Sequence, residues 1–208
     1  MLKRFLFFIH YPIIRFLFPT RTVGKKNLKN LKGATIVASN HLANVDAILL
    51  SMIMIKYNFY YLAKKELEPK NKIAHWFFNL MNFIYVDRKA VGIKAIKEVT
   101  SVLKNGNKIM IFPEGTRNHG NEDNMLEMKG GVVFFASHSD ATIVPVQIIK
   151  KPRLFRFNTV VIGEPYKLKE TTKEGLENEK IILEEKLKAI RVDYENKHNK
   201  KSNKEEKV

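Results

Sequence analysis

The chain has 208 residues, 45% hydrophobic and 28% charged, a balance that suits one globular domain with appendages and excludes a largely disordered or multi-span membrane chain. Lys and Arg total 37 against 21 Asp and Glu, so the net charge of +16 calls for anionic company: phospholipid headgroups, nucleic acid or phosphorylated substrates. The absence of cysteine excludes disulfides, thiolate metal sites and a Cys nucleophile, and fits a reducing compartment.

No Asp or Glu precedes Asp46, so the N-terminal part is cationic. Leu, Ile and Phe dominate residues 2–18, but Lys3, Arg4, His10, Pro12 and Arg15 interrupt them and no small-residue cleavage site follows, which makes a poor signal peptide. As a helix this segment is roughly 26 Å long, short of the ~30 Å hydrocarbon core of a bilayer. Arg4 and Arg15 return to one helix face, with Leu2, Phe5, Ile9, Ile13 and Phe16 roughly opposite. A helix lying in the membrane surface is therefore expected over 1–18, with a tilted span or a helix packed on the domain as alternatives.

Beyond Pro19 short apolar runs alternate with helical repeats, which predicts an α/β fold: a single domain with a mostly buried central sheet flanked by helices. Thr35–Ser39 reads as a buried strand, Val45 to about Ile55 as a helix and Phe59–Ala63 as a strand. A helix follows over Ile73–Leu80, and Phe83–Val86 is extended. Ile93, Ile96, Val99 and Leu103 recur at helical spacing until Asn105-Gly106 supplies a stop. Lys108–Phe112 is the next strand and Val132–Ala136 lies in a further helix. Ile143–Ile148 and Thr159–Ile162 are two later strands, and Pro145 predicts a strand end or edge for the first. Leu176, Leu183, Leu187, Ile190 and Tyr194 mark one stripe of a C-terminal helix. The expected organisation is 1–18 membrane helix, 19–170 catalytic domain, 171–196 C-terminal helix and 197–208 a charged, disordered tail.

Two motifs carry chemistry. Asn40-His41-Leu42-Ala43-Asn44-Val45-Asp46 falls where a buried strand gives way to a helix, and of the six histidines only His41 has an Asp five residues on. On one continuous helix residues five apart diverge, so the pair can meet only across a turn. If Asn44 caps the helix, His41 folds back from the preceding loop, Asp46 holds one ring nitrogen and the other is left as a base. A plain helix cap is the alternative. Phe112-Pro113-Glu114-Gly115-Thr116-Arg117 follows another buried strand, so it lies on the same rim. Gly115 permits a tight turn, Thr116 adds a hydroxyl and the Arg117 guanidinium can grip a phosphate in a planar fork. An ordinary turn with a solvated arginine is the alternative here.

These blocks resemble the glycerolipid acyltransferase family of the 1-acyl-sn-glycerol-3-phosphate (lysophosphatidate) acyltransferase type. The resemblance runs from about Val23 to Tyr166: NHxxxxD at Asn40 to Asp46, an extended run ending in Arg at Phe83 to Arg88, FPEGTR at Phe112 to Arg117 and Val-Pro-Val at Val144 to Val146, in the family's order. Ala63-Lys64-Lys65-Glu66-Leu67, Met128-Lys129-Gly130-Gly131 and Gly163-Glu164-Pro165 are similar to lesser signatures, with Met128 where Phe is more usual. Related enzymes can carry two N-terminal helices where this chain has room for one. The resemblance implies His41 as general base and Asp46 as its orienting partner. Arg88 and Arg117 are implied to hold the acceptor phosphate, Glu114, Gly115 and Thr116 to shape the loop, and Lys64 and Lys129 to add to the electropositive pocket.

The implied reaction moves an acyl group from acyl-ACP or acyl-CoA to lysophosphatidate, with no cofactor and no metal. It takes place on an anionic membrane at the cytoplasmic face, the protein being peripheral or monotopic. A thioester is already activated, so attack by a positioned hydroxyl needs neither metal nor covalent intermediate. No Gly-x-Ser-x-Gly elbow, His-Glu-x-x-His helix or nucleic-acid-reading motif competes. The rival readings are an acyltransferase with another acceptor, such as glycerol 3-phosphate, a lysophospholipid or an amino-acid lipid, and a non-enzymatic basic binding protein.

Overall fold

The computed structural model describes residues 11–29, 31–87, 92–120 and 125–205. Residues 11–17 are helical (α1) and pass through Pro19 into β1 (Thr20–Val23). There follow β2 (Thr35–Ser39), α2 (Asp46–Ile53), β3 (Phe59–Lys64), α3 (Lys72–Leu80), β4 (Phe83–Val86), α4 (Ile93–Lys104) and β5 (Lys108–Ile111). The order closes with α5 (Gly131–Ser139), β6 (Thr142–Ile148), β7 (Asn158–Ile162) and α6 (Lys173–Glu205).

The seven strands form one sheet in the order β1-β7-β6-β2-β5-β3-β4. β6, β2, β5, β3 and β4 all point the same way, whereas β7 runs antiparallel to β6 and carries β1 parallel to itself. β2 lies at the centre with all five residues buried, because helices cover both faces of a parallel sheet; its sequence is accordingly an apolar run without alternation. On one face Ile36, Ala38, Ile109, Ile111 and Ile143 pack against Val99 and Leu103 of α4, Val132 and Phe135 of α5, and Leu183 and Leu187 of α6. On the other, Val37, Met110, Val144 and Val146 meet Leu50 of α2 and Met54 at its C-cap, together with Leu28 and Leu42. Leu103 and Leu187 are wholly buried, and each such side chain contributes roughly 1.5–3 kcal/mol.

Local chemistry explains the boundaries. Asn71 caps α3 by accepting from Ile73 N at 2.8 Å and Ala74 N at 3.3 Å. Gly106, in the left-handed state at φ 75, ends α4 while its N–H returns to Leu103 O. α3 is unusual in burying none of its residues; Ile73, Trp76 and Phe77 stay exposed.

Two expectations are corrected and one unforeseen strand appears. Pro145 lies inside β6, an interior strand, opposite Ala38 of β2. Its carbonyl accepts from Gly163 N, so its nitrogen faces the β7 side too, in the gap between the Ile143–Tyr166 bridge and the ladder that starts at Val146. The missing N–H therefore costs no ladder bond. The charged segment expected to be a disordered tail from residue 197 is helical through Glu205, the last described residue; no Gly or Pro interrupts it over 197–205. Strand β1, absent from the sequence reading, forms the sheet edge beside β7. Of the expected N-terminal helix, residues 1–10 lie outside the described residues and 11–17 are helical. No helix among the described residues is long and apolar enough to cross a membrane.

Candidate active site

Neighbouring strands β2 and β5 send their chains to opposite faces of the sheet: β2 leads to α2 and β5 towards α5. Their loops part at the C-terminal rim, where open α/β sheets form a crevice. The His41 motif occupies one side and the Pro113–Arg117 turn the other.

His41 and Asp46 meet. His41 Nδ1 lies 2.8 Å from Asp46 Oδ2, and because a carboxylate only accepts, Nδ1 carries the proton in this bond. The same oxygen accepts from Leu42 N at 2.6 Å and Ala43 N at 2.7 Å. Three donors thus converge on one atom of a fully buried side chain, which fixes the turn that folds His41 back over the helix start. The expected cap at Asn44 is not what shapes this turn. Val45 is the N-cap of α2, without a side-chain bond, and Asn44 Oδ1 instead accepts from Arg117 Nη1 at 2.6 Å. The backbone contact that Asn44 would have supplied is made in reverse, from Asp46 back to the loop.

The imidazole stacks on Phe112, ring centroids 4.1 Å apart and planes 17° from parallel, while its edge keeps 19% exposure to solvent. Nδ1 is engaged, so Nε2 is the ring atom presented to a ligand. Behind the ring the two loops are tied together. Glu114 Oε1 accepts from His41 N at 3.0 Å and Oε2 from Leu126 N at 3.1 Å, and Asn118 N donates to His41 O at 2.8 Å. Burial pushes the Glu114 carboxyl above the usual carboxylate range, against the two backbone donors, which favour its charged form.

Gly115 turns the second loop at φ 68, a state only glycine enters freely, and a β-carbon there would sit 3.2 Å from the Lys129 stem. Lys129 is held by its N–H to Pro113 O at 2.9 Å, so the structure brings this exposed lysine to the turn. Thr116 is exposed on the same turn and Arg117 half-buried beside Asn44. Lys64 ends β3, level with the start of the turn, and is half-buried. Arg88 lies outside the described residues. Beside the turn an apolar hollow of about 160 Å³ is lined by Leu62, Val86, Ile111, Phe112, Val132 and Phe135. Among the described residues no three His, Asp or Glu side chains gather at metal-ligand distances.

Two side chains matter that the sequence reading left without a role. Asn40, 2% exposed, donates through Nδ2 to Ile148 O at 2.9 Å and accepts from Ile148 N at 2.8 Å, clasping the ends of β2 and β6. Phe112, read as the last residue of a strand, leaves the ladder to support His41. The position of Asn40 directly after a wholly buried strand is the one sequence signal for it; Phe112 offered none.

The Acyltransferase family model matches residues 20–149, which contain all of this geometry. The 1-acyl-sn-glycerol-3-phosphate acyltransferase of Bacillus subtilis is 32% identical over 154 residues, 70% of this chain and 72% of that protein. The yeast (Saccharomyces cerevisiae) protein of the same name is 31% identical over 131 residues, 62% of this chain and 42% of that one. Among solved structures, the 1-acyl-sn-glycerophosphate acyltransferase PlsC from Thermotoga maritima shares the fold with a TM-score of 0.66, at 24% identity over 85% of this chain and 72% of that chain.

Proposed function

Since the chain belongs to the acyltransferase family, we propose that this enzyme moves a fatty acyl group from a thioester to the free hydroxyl of 1-acyl-sn-glycerol 3-phosphate, making phosphatidate for phospholipid synthesis at the cytoplasmic face of the membrane. The observation that carries the reading is the 2.8 Å contact of His41 Nδ1 with buried Asp46, which leaves Nε2 as the base. Nε2 takes the proton from the acceptor hydroxyl as its oxygen attacks the thioester carbonyl. The C–O bond forms, the C–S bond breaks and the imidazolium returns its proton to the departing thiolate. Asp46 holds the ring and offsets its positive charge while the proton is on it.

Arg117 is aimed by Asn44, three residues after His41, so a phosphate held in its fork lies close to the base. The acceptor in the relatives' names carries a phosphate, and this pairing supports such an acceptor for this chain. Lys129 and Thr116 flank the same turn. The hollow lined by Phe112 suits an aliphatic chain alongside the catalytic imidazole. The deciding experiment gives purified protein both acyl-carrier-protein and coenzyme A thioesters with a panel of lysolipids, glycerol 3-phosphate and amino-acid lipids, and identifies products by mass spectrometry. Phosphatidate from lysophosphatidate is the expected product; a different acylated acceptor, or none, overturns the assignment.

A further inference from the structure

The active-site rim carries more than the catalytic loops. β6 stops there at Ile148, clasped by Asn40, the chain runs outside the sheet over residues 149–157, and β7 starts back from the same rim at Asn158. β1 begins there too, with Thr20 beside Asn158, so α1 arrives at this end of the sheet. Phe155 N donates to Leu17 O at 2.7 Å, Asn158 N to Pro19 O at 2.8 Å, and the Phe16 and Phe155 rings meet edge to face at 5.7 Å. The β6–β7 loop and the end of α1 therefore form one ledge.

That ledge is both apolar and cationic. Phe157 is 85% exposed, Phe155 64%, Leu154 54% and Phe16 72%, a concentration that a domain surface facing only water does not carry. Phe155 holds the left-handed backbone state at φ 57, which a bulky side chain enters only at a steric cost. Between these side chains stand Lys150, Lys151, Arg153 and Arg156, and the sequence has no acidic residue between Asp140 and Glu164. The four cations line an open hollow of about 730 Å³ that reaches Tyr194 and His198 of α6; its one acidic neighbour among the described residues, Glu195, is paired with Arg191 at 3.0 Å.

We propose that the β6–β7 loop docks the enzyme on an anionic bilayer, with Leu154, Phe155 and Phe157 entering the acyl-chain boundary while Lys150, Lys151, Arg153 and Arg156 take phospholipid headgroups. The interleaving selects a bilayer over a protein partner: the core of a protein interface is depleted in charge, whereas the boundary between headgroups and acyl chains takes cations and aromatics side by side. The inference rests on the lipid-acceptor reading only for its use, since docking here turns the His41 rim towards the membrane.

The test uses the full chain. Flotation with phosphatidylcholine vesicles and with an equal mixture of phosphatidylcholine and phosphatidylglycerol compares wild type, Leu154→Ser/Phe157→Ser, Lys150→Glu/Arg153→Glu and, as a control on α6, Ile181→Ser. The apolar pair should lower partitioning onto the mixture about tenfold or more, and the charge pair should do so on the mixture but not on phosphatidylcholine alone. Turnover of a soluble short-chain lysophosphatidate should stay within about twofold of wild type for both, which also shows that they fold. Phe157→Trp supplies a second measurement: bromine-labelled acyl chains should quench its fluorescence beyond that of the native Trp76. Partitioning within about twofold of wild type in both pairs, or no added quenching, overturns the proposal. A charge pair that raises KM for a protein-borne thioester while leaving flotation unchanged also overturns it, by placing an acidic protein on the ledge. Loop-dependent flotation of an enzyme that acylates no lysophosphatidate would instead sink the acceptor assignment and leave the docking surface standing.

Discussion

Replacing Asp46 by Asn separates charge from geometry unusually cleanly in this site. The amide has one acceptor, and three donors converge on the position of Oδ2: His41 Nδ1 at 2.8 Å, Leu42 N at 2.6 Å and Ala43 N at 2.7 Å. Turning the NH2 group towards them would set donors against two immovable backbone N–H groups. The amide oxygen therefore takes the Oδ2 position, and His41 keeps its proton on Nδ1 and its free Nε2. What is lost is the negative charge beside the imidazolium. At an effective dielectric of about 20 and a charge separation near 4 Å that is roughly 4 kcal/mol before relaxation, so kcat should fall about 10²–10³-fold. The NH2 group arrives where Oδ1 lies buried without a hydrogen-bond partner, a penalty of about 1–3 kcal/mol partly offset by the removal of a buried charge, so the melting temperature should drop by no more than roughly 10 °C. Thiol release follows the reaction continuously, and the protein has no cysteine to add background. A folded variant slowed less than about fivefold would show that the carboxylate does not stabilise the imidazolium in the transition state. A folded variant slowed beyond about 10⁴-fold would refute the argument from the other side, since the ring would then hold the wrong tautomer.

His41→Ala should retain the fold by circular dichroism and lose about 10²–10⁴-fold or more in turnover of any acceptor. Arg117→Lys keeps the charge but loses the planar fork, so kcat/KM for lysophosphatidate should fall roughly tenfold or more while a neutral monoacylglycerol, already poor, changes little; equal losses would remove Arg117 from the phosphate. Asn40→Leu strands both backbone groups of Ile148 at about 1–3 kcal/mol each, and thermal melts should move down by on the order of 10 °C. Burial raises the folded-state pKa of Glu114 above 4.5, so its contribution to stability is present below that value and is lost as pH rises through the raised one. Melting temperature followed from pH 4.5 to neutrality should carry this decline in wild type and not in Glu114→Gln, and identical profiles would show that Glu114 titrates as it does in the unfolded chain.

Much of this architecture is legible in the residues. β2 declares itself because a strand covered on both faces is apolar throughout, and α4 because Ile93, Ile96, Val99 and Leu103 return at helical spacing to a visible Asn-Gly stop. The His41–Asp46 contact follows from their spacing once a turn is placed between them. What set that turn was not legible: Asn44 looks like a cap, and only the fold shows that Arg117 claims it. Pro145 misleads for a similar reason, since a sequence does not reveal which neighbour a strand nitrogen faces. The bonds that lock the site join residues far apart in the chain, His41 to Glu114 across 73 positions and Asn40 to Ile148 across 108, and no local pattern encodes such partners.

The Asn40 clasp bears on how mutational data for this enzyme are to be interpreted. Its amide must donate to the carbonyl and accept from the N–H of a single residue, Ile148; a carboxylate cannot donate, a hydrocarbon does neither, and a longer amide displaces both atoms. A saturation scan scored by lipid output would therefore rank position 40 with His41 and Asp46 as intolerant of every change. Yet Asn40 is buried with its oxygen and nitrogen both taken, and has no polar atom left for a substrate. Its intolerance would record the shape of β6, so loss of output at this position cannot by itself enrol a residue in the chemistry. Only a measurement that separates folded fraction from turnover tells the anvil from the hammer here.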